Sequence, residues 1–313
     1  MEVYIYDSDG GKWQLPELLT WEISHGFCSP CDSFEMEFLH SGDCLEKLSD
    51  SVEMAAYHDG RTVFRGRIDG YDARCGQSGS TVKLYGRGLQ ALLLDNEAES
   101  ADYYGADIDS ILAKHFSALG LGEVDKAGVS GKADRFSVGN GWSHWKALSS
   151  FAEFCCGVKP RFAPNGTLVL DGEKGGNTYR IDDKTAVISQ SCGEDRYGVI
   201  SHVLVKRRYT NKGAVAENAD FIKKGGRCLR IVNVPKSTFY DSMRHEADYQ
   251  IKKSMENYLW ARVTVAEAFP AFPGDRLEME SSPLGVRGSF LITATRCRGS
   301  AAGVSTEIEM REV

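Results

Sequence analysis

The sequence predicts a mainly β protein with an α+β insert: two antiparallel, β-barrel-like domains flanking a small helix-hairpin domain. Three observations carry that expectation. Apolar and polar residues alternate with period two between Gly/Asp turns through the first hundred residues, the signature of antiparallel strands with one buried face. The same texture returns in the last third. Between them, apolar residues fall at helical spacing from Ile108 and again from Trp145.

The elements follow in order. Glu2 to Tyr6 alternates, and Phe34, Met36 and Phe38 alternate with Glu35 and Glu37. Val52, Met54 and Ala56 repeat the pattern up to a turn at Asp59-Gly60, and Val63 to Ile68 continues it. Ser80 to Tyr85 places Val82 and Leu84 on one face, with Thr81, Lys83 and Tyr85 on the other. Ile108, Ile111, Leu112, Phe116 and Leu119 then predict a helix capped by Asp107 and stopped by Gly120. A second helix is expected over 143–156, with Ser143 as its cap and Trp145, Leu148, Ala152 and Cys155 as its stripe. In FAPNGTLVLDG, Asn165-Gly166 between apolar runs predicts a hairpin.

Val199 to Val205 alternates again, and a basic, Gly-rich excursion from Lys206 to Arg230 leads to a strand over 229–234. A helix begins near Asp241, striped by Ala247, Ile251, Met255 and Tyr258. ARVTVAEA, DRLEME, SFLITATR and STEIEMRE close the chain as strands. The expected division is therefore 1–98 for the first barrel and 99–186 for the α+β unit. Residues 187–313 form the second barrel, with an insertion over about 206–258.

Composition narrows the function classes. The chain has 313 residues, 42% of them apolar and 26% charged, with a net charge of −7. That apolar content and modest charge argue against disorder. A chain this long buries about 75% of its unfolded surface, so disulfides and metals are not required as staples. No run approaches the roughly 20 apolar residues that span a bilayer, so no membrane anchor is expected. The opening MEVYIYDSDGG has neither the basic end nor the apolar stretch of a secretory signal. Nine cysteines with a single CxxC predict reduced thiols and assembly inside a cell.

Charge is unevenly spread. Residues 1–98 carry 8 Lys/Arg against 17 Asp/Glu, whereas residues 187–313 carry 19 against 15. An acidic front and a mildly basic rear do not make the continuous basic face of a nucleic-acid binder, so no sequence-specific nucleic-acid binding is expected. They do permit head-to-tail contact between copies, the acidic first barrel of one against the basic last third of the next.

Candidate chemistry is sparse. Gly86-Arg87-Gly88-Leu89-Gln90-Ala91 matches GxGxxA, with Asp107 and Asp109 near the distance of a ribose-binding acid. A dinucleotide site needs a buried parallel βαβ unit, however, and the preceding strands are hairpin-linked and half-polar. A Gly-rich barrel corner is the expectation, and no cofactor. Cys28-Ser29-Pro30-Cys31 leads into a strand rather than a helix, where a redox pair would need the helix dipole. A structural zinc would need two more ligands, and only Cys44 and His25 lie near in sequence. The seven histidines (25, 40, 58, 115, 144, 202 and 245) form no HExxH or HxH, and neither a GxSxG elbow nor a P-loop occurs. His115 beside Phe116 reads as a core position. No catalytic, cofactor-binding or metal-binding residue is therefore assigned, and the chain is expected not to be an enzyme. Lys206-Arg207-Arg208 and Lys223-Lys224 with Arg227 and Arg230 are the densest positive stretches, suited to phosphate or an acidic partner, or simply a solvated hairpin loop.

One resemblance joins these pieces. SFEMEF, SVEMAAYHDGRTVFRGRIDGYDARC and GSTVKLYGRGLQALLLDNEAES, read together over 33–98, resemble the N-terminal barrel of baseplate hub proteins of bacteriophages and tailocins. The matching residues are Asp32-Ser33-Phe34, Gly60 to Phe64, Gly66 to Asp69, Gly86-Arg87 and Leu93 to Ala98. GWSHWKALSSFAEFCCG with NGTLVLDG is similar to that family's middle domain. Phe272-Pro273-Gly274-Asp275-Arg276-Leu277 and the closing GSFLITATRCRGSAAGVSTEIEM are similar to its last barrel. Cys297 stands near where relatives often carry a histidine.

The resemblance implies a structural homotrimer whose six barrels give pseudo-sixfold symmetry. It would join the tail tube protein to the central spike protein, contact other baseplate proteins and the tape measure, and reside in a virion or phage-like particle assembled in the bacterial cytoplasm. Two other classes are the alternatives: a tail-associated cell-wall hydrolase, and a carbohydrate-binding tail-tip module. The second calls for clustered exposed aromatics, whereas the five tryptophans (13, 21, 142, 145 and 260) mostly sit in core-like patterns.

Overall fold

The structure is a computed structural model describing residues 1–27, 31–77, 79–172, 176–182, 184–208, 213–234, 240–280 and 284–312. It is mainly β, with the α-helical content concentrated in two inserts. The first barrel comprises β1 (Glu2–Asp7), β2 (Lys12–Gln14), β3 (Leu18–Gly26), β4 (Ser33–Leu39), β5 (Ser51–His58), β6 (Arg61–Gly76) and β7 (Gly79–Gly88), with the short helix α1 (Cys44–Ser49) before β5. All neighbours in it pair antiparallel. The alternation read from the sequence is the alternation observed: Phe34, Met36, Phe38, Met54, Ala56, Val82 and Leu84 are buried in one cluster with Val3, Ile5, Ile23 and Phe64. Side chains from nearly every strand meet in that cluster, so the sheet must wrap around it. Each large side chain removed from water there contributes about 1.5–3 kcal/mol. Asp59 and Gly60 both take positive φ (49° and 72°), the backbone that a two-residue hairpin turn between His58 and Arg61 demands.

Helix α2 (Gln90–Asp95) leads out of this barrel into the middle unit of β8 (Ala101–Asp107), α3 (Ile108–His115), β9 (Val124–Asp125), β10 (Lys132–Val138), α4 (His144–Phe151), β11 (Arg161–Phe162) and β12 (Leu168–Val169). Asp107 caps α3 in a reciprocal box: its Oδ1 accepts from Ser110 N (2.8 Å), while Ser110 Oγ accepts from Asp107 N (3.1 Å). Ser143 caps α4, and Gly120 and Gly157 end the two helical segments in left-handed backbone. The second helical segment departs from expectation: its last turn, Ala152–Cys156, widens to a π turn, closed by Gly157 N donating to Ala152 O. The Asn165-Gly166 hairpin forms as predicted. Leu93, Ile111, Leu112, Phe116, Leu148, Phe151, Leu168 and Leu170 share the core of this unit.

The second barrel consists of β13 (Thr178–Ile181), β14 (Val187–Glu194), and, after an insertion, β18 (Leu259–Val265), β19 (Arg276–Met279), β20 (Gly288–Ser300) and β21 (Gly303–Glu312). The insertion holds β15 (His202–Arg207), β16 (Gly213–Glu217), α5 (Ala219–Lys223), β17 (Leu229–Val234) and α6 (Tyr240–Met255). The basic excursion, expected as a solvated hairpin loop, divides: Lys206 and Arg207 end β15 where it leads into the β15–β16 hairpin, whereas the remainder holds regular structure in β16 and α5. β16 returns antiparallel to β15, but β17 runs parallel to β15 on its other side, which requires a crossover. The stretch with α5 is that crossover, and α6 covers one face of the three strands through Met243 and Ala247.

The two barrels share one strand order. The first reads β3-β4-β7-β6-β5-β1, the second β14-β18-β21-β20-β19-β13. The match extends to register. The hairpin β6–β7 pairs from Gly76↔Gly79 to Gly70↔Tyr85 and then slips by one residue. The hairpin β20–β21 pairs from Ser300↔Gly303 to Ala294↔Glu309 and slips at the same step. β3–β4 slips between Leu18 and Thr20, and β14–β18 between Val187 and Ser189. One strand differs: β1 is antiparallel to β5, whereas β13 is parallel to β19.

Candidate assembly interface

The barrels are fused edge to edge. β3 of the first pairs antiparallel with the distal half of β20, from Ala294↔Gly26 to Ser300↔Thr20, which makes one sheet of 13 strands. On the outer face, Glu22 bridges two arginines of the second barrel: Arg298 Nε lies 2.6 Å from its Oε2 and Arg296 Nε 3.4 Å from its Oε1. Ser24 Oγ also accepts from Arg296 Nε (3.3 Å). These partly exposed pairs are worth little in stability, but they set register between an acidic and a basic strand. On the inner face, Trp21 lies against Gly299, where any Cβ would strike the indole. A cavity of about 560 Å³ opens beside it between the barrels, lined by Trp21, His58, Tyr179, Phe269, Phe272 and Cys297 among others.

Behind the seam sits a buried polar clasp. His25 Nδ1 is 3.2 Å from Asp32 Oδ2, and His25 Nε2 is 3.0 Å from Val63 O. Asp32 also accepts from Gly26 N (3.0 Å) and from Gln90 Nε2 (2.8 Å). The His25 ring meets Phe272 of the second barrel edge-on at 5.2 Å. Every side-chain nitrogen and oxygen of His25 and Asp32 thus has a protein partner, the condition for polar groups at this depth. Phe272 is held in turn by Asp275, whose carboxylate accepts from Phe272 N (2.8 Å) and Asn177 N (2.8 Å). Burial pushes the Asp275 carboxyl up. Gly274, at φ +97°, supplies the left-handed step that lets the chain fold back into this arrangement.

The residues that carried the resemblance converge. Arg87 donates from Nε and Nη2 to Asp69 (2.7 and 3.0 Å) and from Nη1 and Nη2 to Asp95 (2.9 and 2.7 Å). The two carboxylates hold the Arg87 guanidinium well above its usual range, and Arg87 holds Asp95 below the carboxylate range. Gly86 is obligatory for a different reason: a Cβ there would run into the Arg67 carbonyl and the Phe34 ring. The GxGxxA stretch is accordingly a barrel corner, flanked by antiparallel β4 and β6 and followed by a six-residue helix, with no parallel strand to cradle a dinucleotide.

Other candidates separate. Cys28, Ser29 and Pro30 lie outside the described residues. Cys31 donates to Gly88 O and Gln90 Oε1, and burial together with Asp32 pushes its thiol up to about 12, so it stays protonated. Cys44 is sealed in the first core, away from His25 and its clasp. Among the described residues, no three His, Cys, Asp or Glu side chains are grouped to hold a metal. Asp109 pairs with Lys126 (2.7 Å). Trp13, Trp21, Trp142 and Trp145 pack on core clusters, and Trp260 is partly exposed over Gly193. The basic residues disperse: Lys206 and Arg207 end β15 and Arg208 follows it, Lys223 pairs with Asp220 (3.3 Å), and Lys224 bridges Glu194 (3.2 Å) and Tyr258 Oη (2.8 Å). Sequence reasoning missed one meeting: His115 Nδ1 lies 3.1 Å from His144 Nδ1, with Tyr103 Oη 3.2 Å from His115 Nε2. Both sit near a helix end, 29 residues apart, and no periodicity links them.

The whole chain superposes on a tail protein from Neisseria meningitidis with a TM-score of 0.79, at 19% identity over 99% of this chain and 96% of that one. The chain has the fold of phage tail proteins. A 43 kDa prophage tail protein from Shewanella oneidensis matches equally well (TM-score 0.79, 14% identity, 100% and 98% covered). An E. coli type VI secretion component, described as structurally similar to bacteriophage tail proteins, matches at 0.61 with 13% identity over 95% and 74%. By sequence, no protein-family model and no curated protein matches. Within this tail-protein fold, the fused seam and its clasp join the two barrels, and among the described residues no helix is long and apolar enough to cross a membrane.

Proposed function

We propose that this chain is the structural hub of a phage-type tail baseplate, three copies of which close into a pseudo-sixfold ring between the tail tube and the central spike. One observation carries the reading: a single chain holds the same barrel topology twice, joined edge to edge. Two equivalent barrels per chain let three chains present six similar units, which resolves a mismatch between a sixfold tube and a threefold spike. The full-length similarity to tail proteins supports the same reading. Its action is mechanical, with neither a catalytic residue nor a cofactor. The partners would be its own copies, the tube, the spike, other baseplate proteins and the tape measure, in the tail of a virion or phage-like particle. The organisation we propose is 1–98, 99–186 and 187–313, with Thr178–Ile181 contributing its strand to the last barrel.

Native mass measurement tests this. The expected species is three times the 34.5 kDa chain, with a central opening and six peripheral lobes in negative-stain images. A chain that stays monomeric at every concentration overturns the ring, and turnover of purified peptidoglycan overturns the non-enzymatic role.

A further inference from the structure

The internal duplication specifies how neighbouring copies would join. The fused seam uses one edge of each barrel: the outer edge of β3 and the distal half of β20. Each of these strands has a counterpart whose corresponding edge lacks a strand partner among the described residues. β14, the counterpart of β3, pairs only with β18. β6, the counterpart of β20, is covered by β5 only from Arg61 to Arg67, which leaves its distal half open on that side.

Burial marks the same contrast. In the fused seam Ile23, His25 and Gly299 are buried, while the equivalent Cys192, Glu194 and Cys75 are exposed. Two such long open edges on one soluble chain call for covering, since unpaired strand edges template association.

We propose that β14 of one copy pairs antiparallel with the distal half of β6 in a second copy, in the register of the fused seam. The register transfers because the flanking hairpins and their slips coincide. Cys297 stands opposite Ile23 in the seam; its counterpart Ala73 then stands opposite Cys192. Arg298 opposite Glu22 becomes Arg74 opposite Ser191, and Gly299 opposite Trp21 becomes Cys75 opposite Gln190. The occupant is a second copy because the intrachain seam shows the fit of the counterpart edges, β3 against the distal half of β20. A contact between two different patches propagates head to tail and closes where the rotation permits. This seam lacks the Glu22–arginine pairs, so main-chain hydrogen bonds dominate it and salt weakens it little. The inference rests on the ring reading and adds its edges and register.

The test is site-specific cross-linking in the full-length chain. Residues directly opposite in an antiparallel pair have Cα atoms about 4.5–5.5 Å apart, within disulfide range. Ala73→Cys, in a Cys75→Ser background, is expected to give disulfide-linked dimers and trimers with native Cys192 on mild copper–phenanthroline oxidation. Adding Cys192→Ser should abolish them, and Arg74→Cys, which points to the other face, should not form them. Gln190→Cys against native Cys75 is the second reporter of the same register, so misfolding of one variant does not decide the matter. A trimer by mass that cross-links at neither pair overturns the seam while leaving the ring. A monomer by mass overturns both.

Discussion

Lowering the pH from about 7 to about 5 protonates His115 in the unfolded chain but not in the folded one. The ring is 1% exposed, wedged between Tyr103 and His144. Burial, then the positive charge potential of His144 and Lys114, pushes its pKa from 6.5 down to about 4. Burial, then Lys114, pushes His144 down as well. The carboxylate nearest Lys114 is Glu99, 4.0 Å from its Nζ and largely exposed, so it offsets this little. A depressed folded pKa means the unfolded state binds the proton more tightly. The stability is therefore fully present above about pH 6.5 and is lost as pH falls towards 4. With those two values the loss from His115 alone is about 2 kcal/mol at pH 5 and about 3 kcal/mol below pH 4. Hydrogen exchange of the α3 and α4 amides, followed from about pH 7 to about pH 5 with intrinsic rates corrected, measures it locally. His115→Gln keeps a partner for Tyr103 but cannot titrate, and should flatten the profile by that amount. Parallel profiles for the two proteins would refute the reasoning.

Two further outcomes follow from the seam and the corner. Gly86→Ala drives a methyl into the Arg67 carbonyl and the Phe34 ring, and should cost about 2–3 kcal/mol in chemical denaturation; an unchanged midpoint would show that β4 and β6 can part freely. Asp275→Ala leaves the amides of Phe272 and Asn177 without their acceptor, an expected loss of about 1–3 kcal/mol for two partly buried donors, and Asp275→Asn, which retains one carbonyl oxygen, should cost visibly less in the same thermal melt.

Much of the fold was legible because it rests on local rules. Alternation at Phe34, Met36 and Phe38 reports a strand with one dry face wherever that strand lies. Asp107 and Ser143 could be read as caps because the groups they satisfy are three residues away. The Asp59-Gly60 and Asn165-Gly166 turns follow from backbone preference alone. The insertion was less legible. β15, β16 and β17 look alike in sequence whether the last returns parallel or antiparallel, since direction depends on the crossover rather than on the strand. The meaning of the resembling residues was likewise hidden. Asp69, Arg87 and Asp95 are spread over 27 positions, and only the curl of β6 against β7 and α2 brings them within ion-pairing distance.

By itself the sequence determined that this chain alternates into antiparallel strands at both ends and turns helical between them. Hydrophobic periodicity, caps and turns act over a few residues, so they survive without any knowledge of the fold. Only the tertiary structure decided that the two ends repeat one topology, that β3 and β20 fuse them, and that β14 and the distal half of β6 have no strand partner on the matching edges among the described residues. Strand partnership is a long-range choice, made by main-chain groups identical in every residue, and side-chain patterns do not record it.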